Sequence, residues 1–523
     1  MTKDFFWIII FTIQRNGDVS KSGTATVLDF GALFYFREIH EEERERRMFD
    51  VAIIGCGVVG GMIARRLAAY DLRICMLEKE NDVAMGATKA NSAIVHAGFD
   101  AAEGSLKAKL NVRGSQMMER ITRELGVKYQ RNGSLVIGFG EEDRKTIEAL
   151  KVRGEKNGVE GLRVLDSREL HELEPNLSET VTCALYAPTG AIVCPYELCI
   201  ASIGNAMDNG AELYRNFEVT EICEDGEQYV IRSADGKEIR AAYVVNAAGL
   251  FADRVAAMMG DDSFHIHPRS GEYILLDKEC GKIVSHTVFR TPSKMGKGIL
   301  VSPTVDGNLL LGPTSTDIED KNAKETTSEG LGKIIREAGE NLGCPLPLGK
   351  SITSFCGLRS VGSTGDFIIR PFGSRAVQVA GVESPGLSAS PAIAEYVEGL
   401  LAELGLSLVK KESYSPIREP KHAFREASME EKNEIIRKNP AYGRIICRCE
   451  GVSEGEILDA IRSNPKAQDI DGVKRRTRSG MGRCQGGFCG PYVMELLAKE
   501  QGIPFQQVTK CGGKSAMVVE KTK

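Results

Sequence analysis

The spacing of hydrophobic residues alternates between strand-like and helix-like periods over residues 48–405. A β-branched run, VAIIG, is typical of a buried parallel strand, and an amphipathic pattern of helical period follows it to about Ala69. Residues 100–245 then mix both patterns, and residues 265–315 are rich in strand patterns separated by Asp-Gly and Gly-Asn turns. This order predicts an α/β fold in which a part with an antiparallel sheet is inserted into a parallel-stranded domain.

Three glycines lie between the first strand and the first helix. Gly55, Gly57 and Gly60 have G-x-G-x-x-G spacing, and the second strand, RICMLE, ends at Glu78. In nucleotide-binding βαβ units the first glycine makes the tight turn, the second lets the backbone approach a pyrophosphate, and the third allows close helix packing. An acid such as Glu78 accepts hydrogen bonds from ribose hydroxyls, which favours FAD or NAD over NADP. Because all parts occur in order, a simple glycine-rich turn is the weaker interpretation.

Two later segments, VVNAAGL and VAGVESPGLSASPAIAEYV, again place glycines at predicted strand ends. Together with the first motif they resemble the FAD-dependent oxidoreductase superfamily typified by D-amino-acid oxidase, over residues 48–405. The resemblance implies a Rossmann-type FAD-binding domain with an inserted α+β substrate domain. The residues that it places around the flavin are Ala248, Gly249, Gly381, Gly386 and Leu387.

Four cysteines near the C-terminus have a spacing that packing alone does not explain. Cys447 and Cys449 form C-x-C in IICRCEG, whereas Cys484 and Cys489 form C-x4-C in the glycine-rich stretch GMGRCQGGFCG. Structural zinc sites usually use paired C-x2-4-C knuckles, which this spacing fits poorly, and four thiolates also suit a [2Fe–2S] cluster. The glycine-rich loop can point backbone N–H groups at cluster sulfurs. Zinc, and more remotely buried free thiols, stay open as alternatives.

Short helices are predicted around these cysteines. Ser453 and Glu456 form a capping box before EILDAIRS, and Pro491 occupies the favoured first position of PYVMELLAKEQG. The phrases CRCEGVSEGEI and RRTRSGMGRCQGGFC resemble the bacterioferritin-associated-ferredoxin-like [2Fe–2S] domain, in the form fused to the large subunit of the anaerobic glycerol-3-phosphate dehydrogenase family. The resemblance implies a small helical [2Fe–2S] domain over residues 444–510, in which the basic run VKRRTRSG would offset the cluster charge.

Three further segments lie outside these two domains. Residues 1–47 combine the apolar stretch FFWIIIFTI with the charged run HEEERERR, and they lack the basic start and cleavage site of a signal peptide. We expect an untranslated leader read as protein, with the native start at Met48; a charged helical stub is the alternative. Residues 406–443 are charged and contain prolines, which predicts a linker. Residues 511–523 form a tail without a readable signal.

Composition excludes several classes of function. The net charge is −5, with 42% hydrophobic and 27% charged residues, and neither half is strongly basic, which argues against a nucleic-acid binder. No apolar run approaches the ~20 residues that a bilayer-spanning helix needs. The 14 cysteines among 523 residues are far sparser than in secreted disulfide scaffolds, so we expect a reducing, cytoplasmic setting.

A flavin and a one-electron centre in one chain imply a dehydrogenase whose electrons leave singly. The fused cluster domain favours oxidation of sn-glycerol 3-phosphate to dihydroxyacetone phosphate. Yet HAGFDAAEGSLKAK and PRSGEYILLDK resemble the L-2-hydroxyglutarate dehydrogenase family, and Gly381-Val382-Glu383 stands where the glycerol-phosphate family usually carries a basic Gly-Gly-Lys. A 2-hydroxy acid and an amine or opine therefore stay open as substrates, as does an electron-transfer or regulatory subunit with a decayed site.

Candidate catalytic residues follow from the chemistry of alcohol oxidation, which needs a base for the hydroxyl proton. His96 in IVHAG is the best placed, with a histidine packed in a turn as the alternative. Arg359 in FCGLRSVGSTGDF can bind a carboxylate or phosphate bidentately, with a surface salt bridge as its alternative. Lys297 and Tyr273 are weaker candidates, and Tyr273 fits a core position better than a ligand position.

The resemblance also implies partners. Members of the anaerobic family work beside a second flavoprotein subunit and a membrane-anchoring iron–sulfur subunit that feeds quinone. We therefore expect indirect quinone reduction, association with the inner face of the cell membrane through these subunits, and docking through an exposed basic loop around KRRTRSGMGR.

Overall fold

The structure is a computed structural model that describes residues 48–292, 298–419 and 423–520, so the expected leader and Lys297 lie outside the described residues. Its strands are β1 (Met48–Ile54), β2 (Ile74–Leu77), β3 (Ile94–Val95), β4 (Tyr129–Gln130), β5 (Ser134–Gly138), β6 (Arg163–Asp166), β7 (Cys183–Ala187), β8 (Ala191–Val193), β9 (Glu212–Tyr214), β10 (Val219–Asp225), β11 (Gln228–Ser233), β12 (Glu238–Asn246), β13 (Ile266–Leu276), β14 (Thr287–Arg290), β15 (Leu300–Pro303), β16 (Leu309–Gly312), β17 (Thr316–Asp317), β18 (Ser351–Gly362), β19 (Ile368–Phe372), β20 (Ala376–Ala380), β21 (Ile445–Cys447) and β22 (Val452–Ser453).

The helices complete the description of the elements. They are α1 (Val58–Leu67), α2 (Leu106–Glu124), α3 (Glu141–Lys156), α4 (Ser167–Leu173), α5 (Pro195–Asp208), α6 (Ala252–Met258), α7 (Ser328–Asn341), α8 (Gly386–Glu403), α9 (Ala423–Glu426), α10 (Met429–Lys438), α11 (Glu454–Arg462), α12 (Ile470–Thr477) and α13 (Gly490–Gln501). Within the described ranges, none of them combines the length and apolar character of a membrane span.

The first sheet contains the predicted parallel unit. Its order is β10-β11-β12-β1-β2-β9, with β20 beside β12 and β19 beside β20, and β1 runs parallel to β2. Val51 and Ile53 of β1 pack into one core, whereas Ala52 and Ile54 pack into another on the opposite face. A strand buried on both faces needs an unbroken apolar run, which is why VAIIG predicts this position. Helices α1, α5 and α8 contribute to the first core, so the predicted α/β fold is confirmed.

The second sheet is mostly antiparallel and lies in the strand-rich part of the chain. Its order is β17-β13-β16-β15-β14-β5-β7-β6, with β18 also paired to β13. The long pairing of β13 with β18 sets Arg269 opposite Arg359. Helix α7 packs Ile334 and Ala338 into the core of this sheet. The inserted α+β part that the turn pattern predicts is therefore present.

The C-terminal module is small and mainly helical. Helices α11, α12 and α13 enclose a core that includes Ile457, Val473 and Leu497, and β21 pairs with β22 beside it. The predicted capping box is present, because Ser453 Oγ accepts a hydrogen bond from the Glu456 N–H and the Glu456 carboxylate accepts one from the Ser453 N–H. Helices α9 and α10 lie in the segment that precedes the module.

Arg475, Arg476 and Arg478 of the predicted docking loop are buried and only Arg483 of its arginines is exposed, which corrects the expectation of an exposed basic loop. Arg475 and Arg476 bind the carboxylate of Asp82, which is 1% exposed, with N···O distances of 2.6 and 2.8 Å. Arg478 binds Asp306 at 2.6 Å, and both side chains are almost completely buried. Buried guanidinium groups need carboxylate partners, and these partners come from loops remote in the sequence. The basic run therefore fastens the module to both sheets instead of facing solvent.

Candidate flavin and iron–sulfur sites

A cavity of about 910 Å³ is lined by residues of both sheets. Ligand sites usually measure about 300–1,000 Å³, so this cavity suits a large ligand. The predicted residues on its wall are Gly55, Gly57, Glu78, His96, Ala248, Gly249, Tyr273, Arg359, Gly386 and Leu387. Gly60 and Gly381 lie just behind the wall, as described below.

The glycine turn after β1 is packed too tightly for side chains. Gly55 has φ +102°, and a Cβ there would lie 2.4 Å from the carbonyl oxygen of Ala247. A Cβ at Gly60 would lie 2.0 Å from the carbonyl oxygen of Gly55, so α1 packs onto the turn only without one. At Gly57 a Cβ would meet Thr88 Oγ1 at 3.2 Å on the cavity wall. The N-terminus of α1 therefore offers bare backbone at the cavity, as pyrophosphate binding requires.

Glu78 ties the glycine turn to the end of β2. Its carboxylate accepts hydrogen bonds from the backbone N–H groups of Cys56, at 2.9 Å, and Glu80, at 3.0 Å. Burial raises the pKa of Glu78 to about 7, although the same two N–H groups oppose the rise. The side chain thus fixes the turn and presents an acceptor at the cavity wall, the position expected for a ribose-binding acid.

The two later glycine segments also turn the chain at the cavity. Ala248 and Gly249 begin a short 3-10 turn after β12, and Gly249 has φ +58°. Gly386 opens helix α8, and Leu387 follows it on the cavity wall. Gly381 has φ +63°, and a Cβ there would lie 3.3 Å from the Cα of Gly362. Gly381 therefore shapes the turn that precedes the wall residues Gly386 and Leu387, but it does not line the cavity itself.

Tyr273, Arg359 and Ser92 meet at another part of the wall. The Tyr273 hydroxyl lies 3.1 Å from Ser92 Oγ, and its ring stacks on Phe355. Burial raises the pKa of Tyr273, whereas the neighbouring Arg359 guanidinium opposes the rise. His96 lies four residues after Ser92, directly after β3, and is anchored by a hydrogen bond from its backbone N–H to Ser388 Oγ, at 2.7 Å. All the predicted catalytic residues that the structure describes thus line this cavity.

Arg359 and Arg269 are paired across β18 and β13 but differ in their partners. Arg269 donates two hydrogen bonds to Asp317, at 2.6 and 3.2 Å. Arg359 donates to the carbonyl oxygen of Thr314 at 3.3 Å, and none of the carboxylates in the described ranges forms an ion pair with it. A guanidinium with unused donors at a cavity wall can bind an anionic ligand group bidentately.

Sequence reasoning missed Lys107, in the first turn of α2. Its Nζ lies 2.8 Å from Glu383 Oε1, and both side chains line the cavity. Glu383 stands where the glycerol-phosphate family usually carries a lysine, and its negative charge would disfavour phosphate binding. The positive charge of Lys107 offsets it. The partners are far apart in the chain, and no local pattern in SLKAK indicates the contact, so only the fold reveals it.

The four C-terminal cysteines lie as two pairs. The Sγ atoms of Cys449 and Cys484 are 3.7 Å apart. Metal–sulfur bonds of ~2.3 Å at a tetrahedral metal give a similar separation, about 3.8 Å. Cys447 and Cys489 form the second pair, since each shifts the pKa of the other, and each is 2% exposed. In the part of the chain that the structure describes, no three His, Cys, Asp or Glu side chains surround one point suited to a single metal ion. Two pairs fit two irons better than one four-coordinate zinc.

Hydrogen-bond donors lie next to one sulfur of each pair, that of Cys447 and that of Cys484. The hydrogen bond from Cys489 lowers the pKa of the Cys447 thiol, and the N–H groups of Gly480 and Glu450 act in the same direction. Burial alone would raise the pKa of the Cys484 thiol. The N–H groups of its own glycine-rich loop lower this pKa by more, so the net shift is downward. Thiolates are the form that binds metal, and these donors stabilise them. The residues present therefore fit a [2Fe–2S] cluster.

Comparisons with known proteins identify the family of both parts of the chain. Residues 50–400 match the family described as FAD dependent oxidoreductase, and residues 445–499 match the BFD-like [2Fe-2S] binding domain. A glycerol 3-phosphate dehydrogenase from Caloramator mitchellensis is 47% identical over 466 residues, which cover 88% of this chain and 96% of that protein. The mitochondrial L-2-hydroxyglutarate dehydrogenase of Bos taurus is 32% identical over 283 residues, which cover 51% of this chain and 61% of that protein.

A solved structure shares the fold of the larger part. Dithionite-reduced L-alpha-glycerophosphate oxidase from Mycoplasma pneumoniae, with FAD bound, has a TM-score of 0.68 and 29% identity, and the match covers 71% of this chain and 98% of that chain. Both family resemblances inferred from the sequence are confirmed, and the cofactors are FAD and a [2Fe–2S] cluster rather than zinc. The chain belongs to the FAD-dependent oxidoreductase family and carries a C-terminal BFD-like [2Fe–2S] binding domain.

Proposed function

We propose that this chain oxidises the secondary alcohol of sn-glycerol 3-phosphate to the ketone of dihydroxyacetone phosphate. The observation that carries the proposal is Arg359, whose guanidinium stands on the cavity wall beside Tyr273 without a carboxylate partner among the described residues. The relative that is 47% identical and covers 88% of this chain is a glycerol 3-phosphate dehydrogenase, which supports the same substrate here.

Each residue has a role in this proposal. Arg359 binds the phosphate, and Lys107 cancels the charge of Glu383 so that the phosphate is not repelled. His96 takes the proton of the substrate hydroxyl, because imidazole is the usual base near neutral pH. FAD, when bound, supplies the two-electron acceptor for the hydride from carbon. Tyr273, held by Ser92 and Phe355, shapes the wall next to Arg359.

We also propose that electrons leave singly through the [2Fe–2S] centre, with Cys447, Cys449, Cys484 and Cys489 as ligands. The acceptors are a second flavoprotein subunit and a membrane-anchoring iron–sulfur subunit that passes electrons to quinone. The difference in coverage supports this route, since the dehydrogenase relative spans 88% of the chain whereas the oxidase structure spans 71%. A one-electron centre serves a one-electron acceptor better than it serves oxygen.

Anaerobic bleaching of the flavin tests the substrate. The purified chain is mixed with sn-glycerol 3-phosphate, glycerol, L-2-hydroxyglutarate, proline or sarcosine, and flavin absorbance is followed with time. We expect sn-glycerol 3-phosphate to bleach the flavin fastest and glycerol, which lacks the phosphate, to react slowly at best. Faster bleaching by L-2-hydroxyglutarate or by an amine would replace the proposed substrate. Bleaching by none of them would favour an electron-transfer subunit.

A further inference from the structure

Ser479 is a buried polar residue next to the cysteine pairs that neither cofactor assignment uses. It comes two residues after the end of α12 and is 3% exposed. Among the described residues its Oγ has no hydrogen-bond partner. A buried hydroxyl without a partner is unfavourable and rare in proteins, so its presence here calls for an acceptor.

The nearest candidate acceptor is a cluster ligand. The hydrogen bond to Cys447 and burial raise the pKa of the Cys489 thiol, and the Ser479 hydroxyl is among the neighbours that oppose this rise. The backbone next to Ser479 packs against the loop that carries Cys489, because a Cβ at Gly480 would lie 3.6 Å from the Gly486 Cα, and Cys489 is itself 2% exposed. Cys489 Sγ becomes a negatively charged thiolate once it binds iron, and a thiolate is a stronger acceptor than a thiol.

The backbone holds Ser479 in this position. Arg478 has φ +70°, a conformation that residues with side chains seldom adopt, and it is fixed there by Glu450 at 2.9 Å and Asp306 at 2.6 Å. The Ser479 N–H donates to Thr477 Oγ1 at 3.1 Å. The next residue, Gly480, directs its own N–H at Cys447. One turn therefore presents two donors to the buried cysteine pair, and only Ser479 provides one from a side chain.

We propose that Ser479 is a positioning residue that raises the reduction potential of the [2Fe–2S] centre by donating its hydroxyl hydrogen to Cys489 Sγ. Reduction adds an electron and makes the ligand sulfurs more negative, so a fixed donor stabilises the reduced form more than the oxidised form. The hydroxyl keeps its proton throughout, and no bond to iron changes. The inference rests on the cluster ligands proposed above.

Potentiometric titration of the holoprotein, followed by the EPR signal of the reduced cluster, tests this role. We expect Ser479→Ala to make one-electron reduction roughly tenfold less favourable, which is about 59 mV for a one-electron couple. Ser479→Thr keeps a hydroxyl and should restore most of the wild-type potential. Ser463→Ala makes the same change at the end of α11 and should leave the potential unchanged.

The iron content of the variants tests the ligand assignment separately from the effect of Ser479 on the reduction potential. If the cysteine variants lose iron and Ser479→Ala keeps it, the result supports the four cysteines as cluster ligands. This result does not depend on whether Ser479 changes the reduction potential. An unchanged potential in iron-loaded Ser479→Ala, or an equal shift in Ser479→Thr, overturns the proposal. Should Ser479→Ala fail to load iron, Ser479→Gly, which also lacks the hydroxyl, is titrated instead and is judged by the same potential.

Discussion

Arg359 and Arg269 occupy paired positions on β18 and β13, yet their charges have different uses. Arg269 also lines the cavity and is half-buried, but its guanidinium is already paired with Asp317 through two hydrogen bonds. Arg359 keeps donors available at the cavity wall, where exclusion of water strengthens a charge-assisted hydrogen bond. The two arginines therefore form a natural matched pair for mutagenesis.

Replacing Arg359 by Ala should lower kcat/KM for sn-glycerol 3-phosphate roughly 10- to 100-fold, the worth of hydrogen bonds to a charged group. FAD should stay bound, because the proposal assigns Arg359 to the substrate phosphate and not to the flavin. Steady-state kinetics with an artificial acceptor measures the change, and Arg269→Ala is the control with a small expected effect. Equal losses in the two variants would show that Arg359 has no special role in anion binding.

Glu78 makes the stability of the apoprotein depend on pH. Burial raises its pKa from 4.5 to about 7, so the folded chain holds this proton between those values while the unfolded chain releases it. Folding then takes up a proton, and stability falls as pH rises through this window, by about 3 kcal/mol from this group. Glu78→Gln should flatten the dependence. Denaturant unfolding of both apoproteins at pH 5 and pH 8 checks this, and parallel curves would contradict it.

The elements that follow from sequence are those whose geometry is set locally. VAIIG, Gly55 and the capping box of Ser453 each fix backbone conformation within a few residues, so their patterns predict β1, the tight turn and the start of α11. The arrangement of the cysteines as two pairs was not predictable from C-x-C and C-x4-C spacing. It depends on α12 and its left-handed end at Arg478, which set the two segments against each other.

Replacing Cys484 or Cys489 by Ser should remove the iron and leave the flavin, because the cysteine module and the flavin cavity have separate cores. Cys511, exposed in the tail, provides the matched control, and Cys511→Ser should retain both cofactors. Metal analysis and the flavin spectrum of anaerobic preparations measure the outcome. Zinc in place of iron, or iron retained in both Cys484 and Cys489 variants, would refute the ligand assignment.

At the scale of the whole molecule, the buried ionic contacts decide how the cysteine module is held. Burial opposes a charged Asp82, but Arg476 and Arg475 more than compensate and lower its pKa. Arg478 makes a second buried contact, to Asp306 beside β16. Sequence reasoning could show only that the run is basic, since its exposure depends on carboxylates hundreds of residues away. The correction also means that a partner must dock elsewhere than on these arginines.

This fixed attachment leads to a prediction about electron acceptors. A flavin releases two electrons and a [2Fe–2S] centre carries one at a time, so a module fastened to the flavin part is suited to pass electrons onward singly. With sn-glycerol 3-phosphate, the holoprotein should reduce an artificial one-electron dye quickly and oxygen slowly. The iron-free Cys489→Ser variant should still bleach its flavin with substrate but reduce the dye more slowly. Parallel assays of dye reduction and peroxide formation test this route. Rapid peroxide formation by the holoprotein would make it an oxidase. Equal rates of dye reduction in the two proteins would mean that electrons leave the flavin directly.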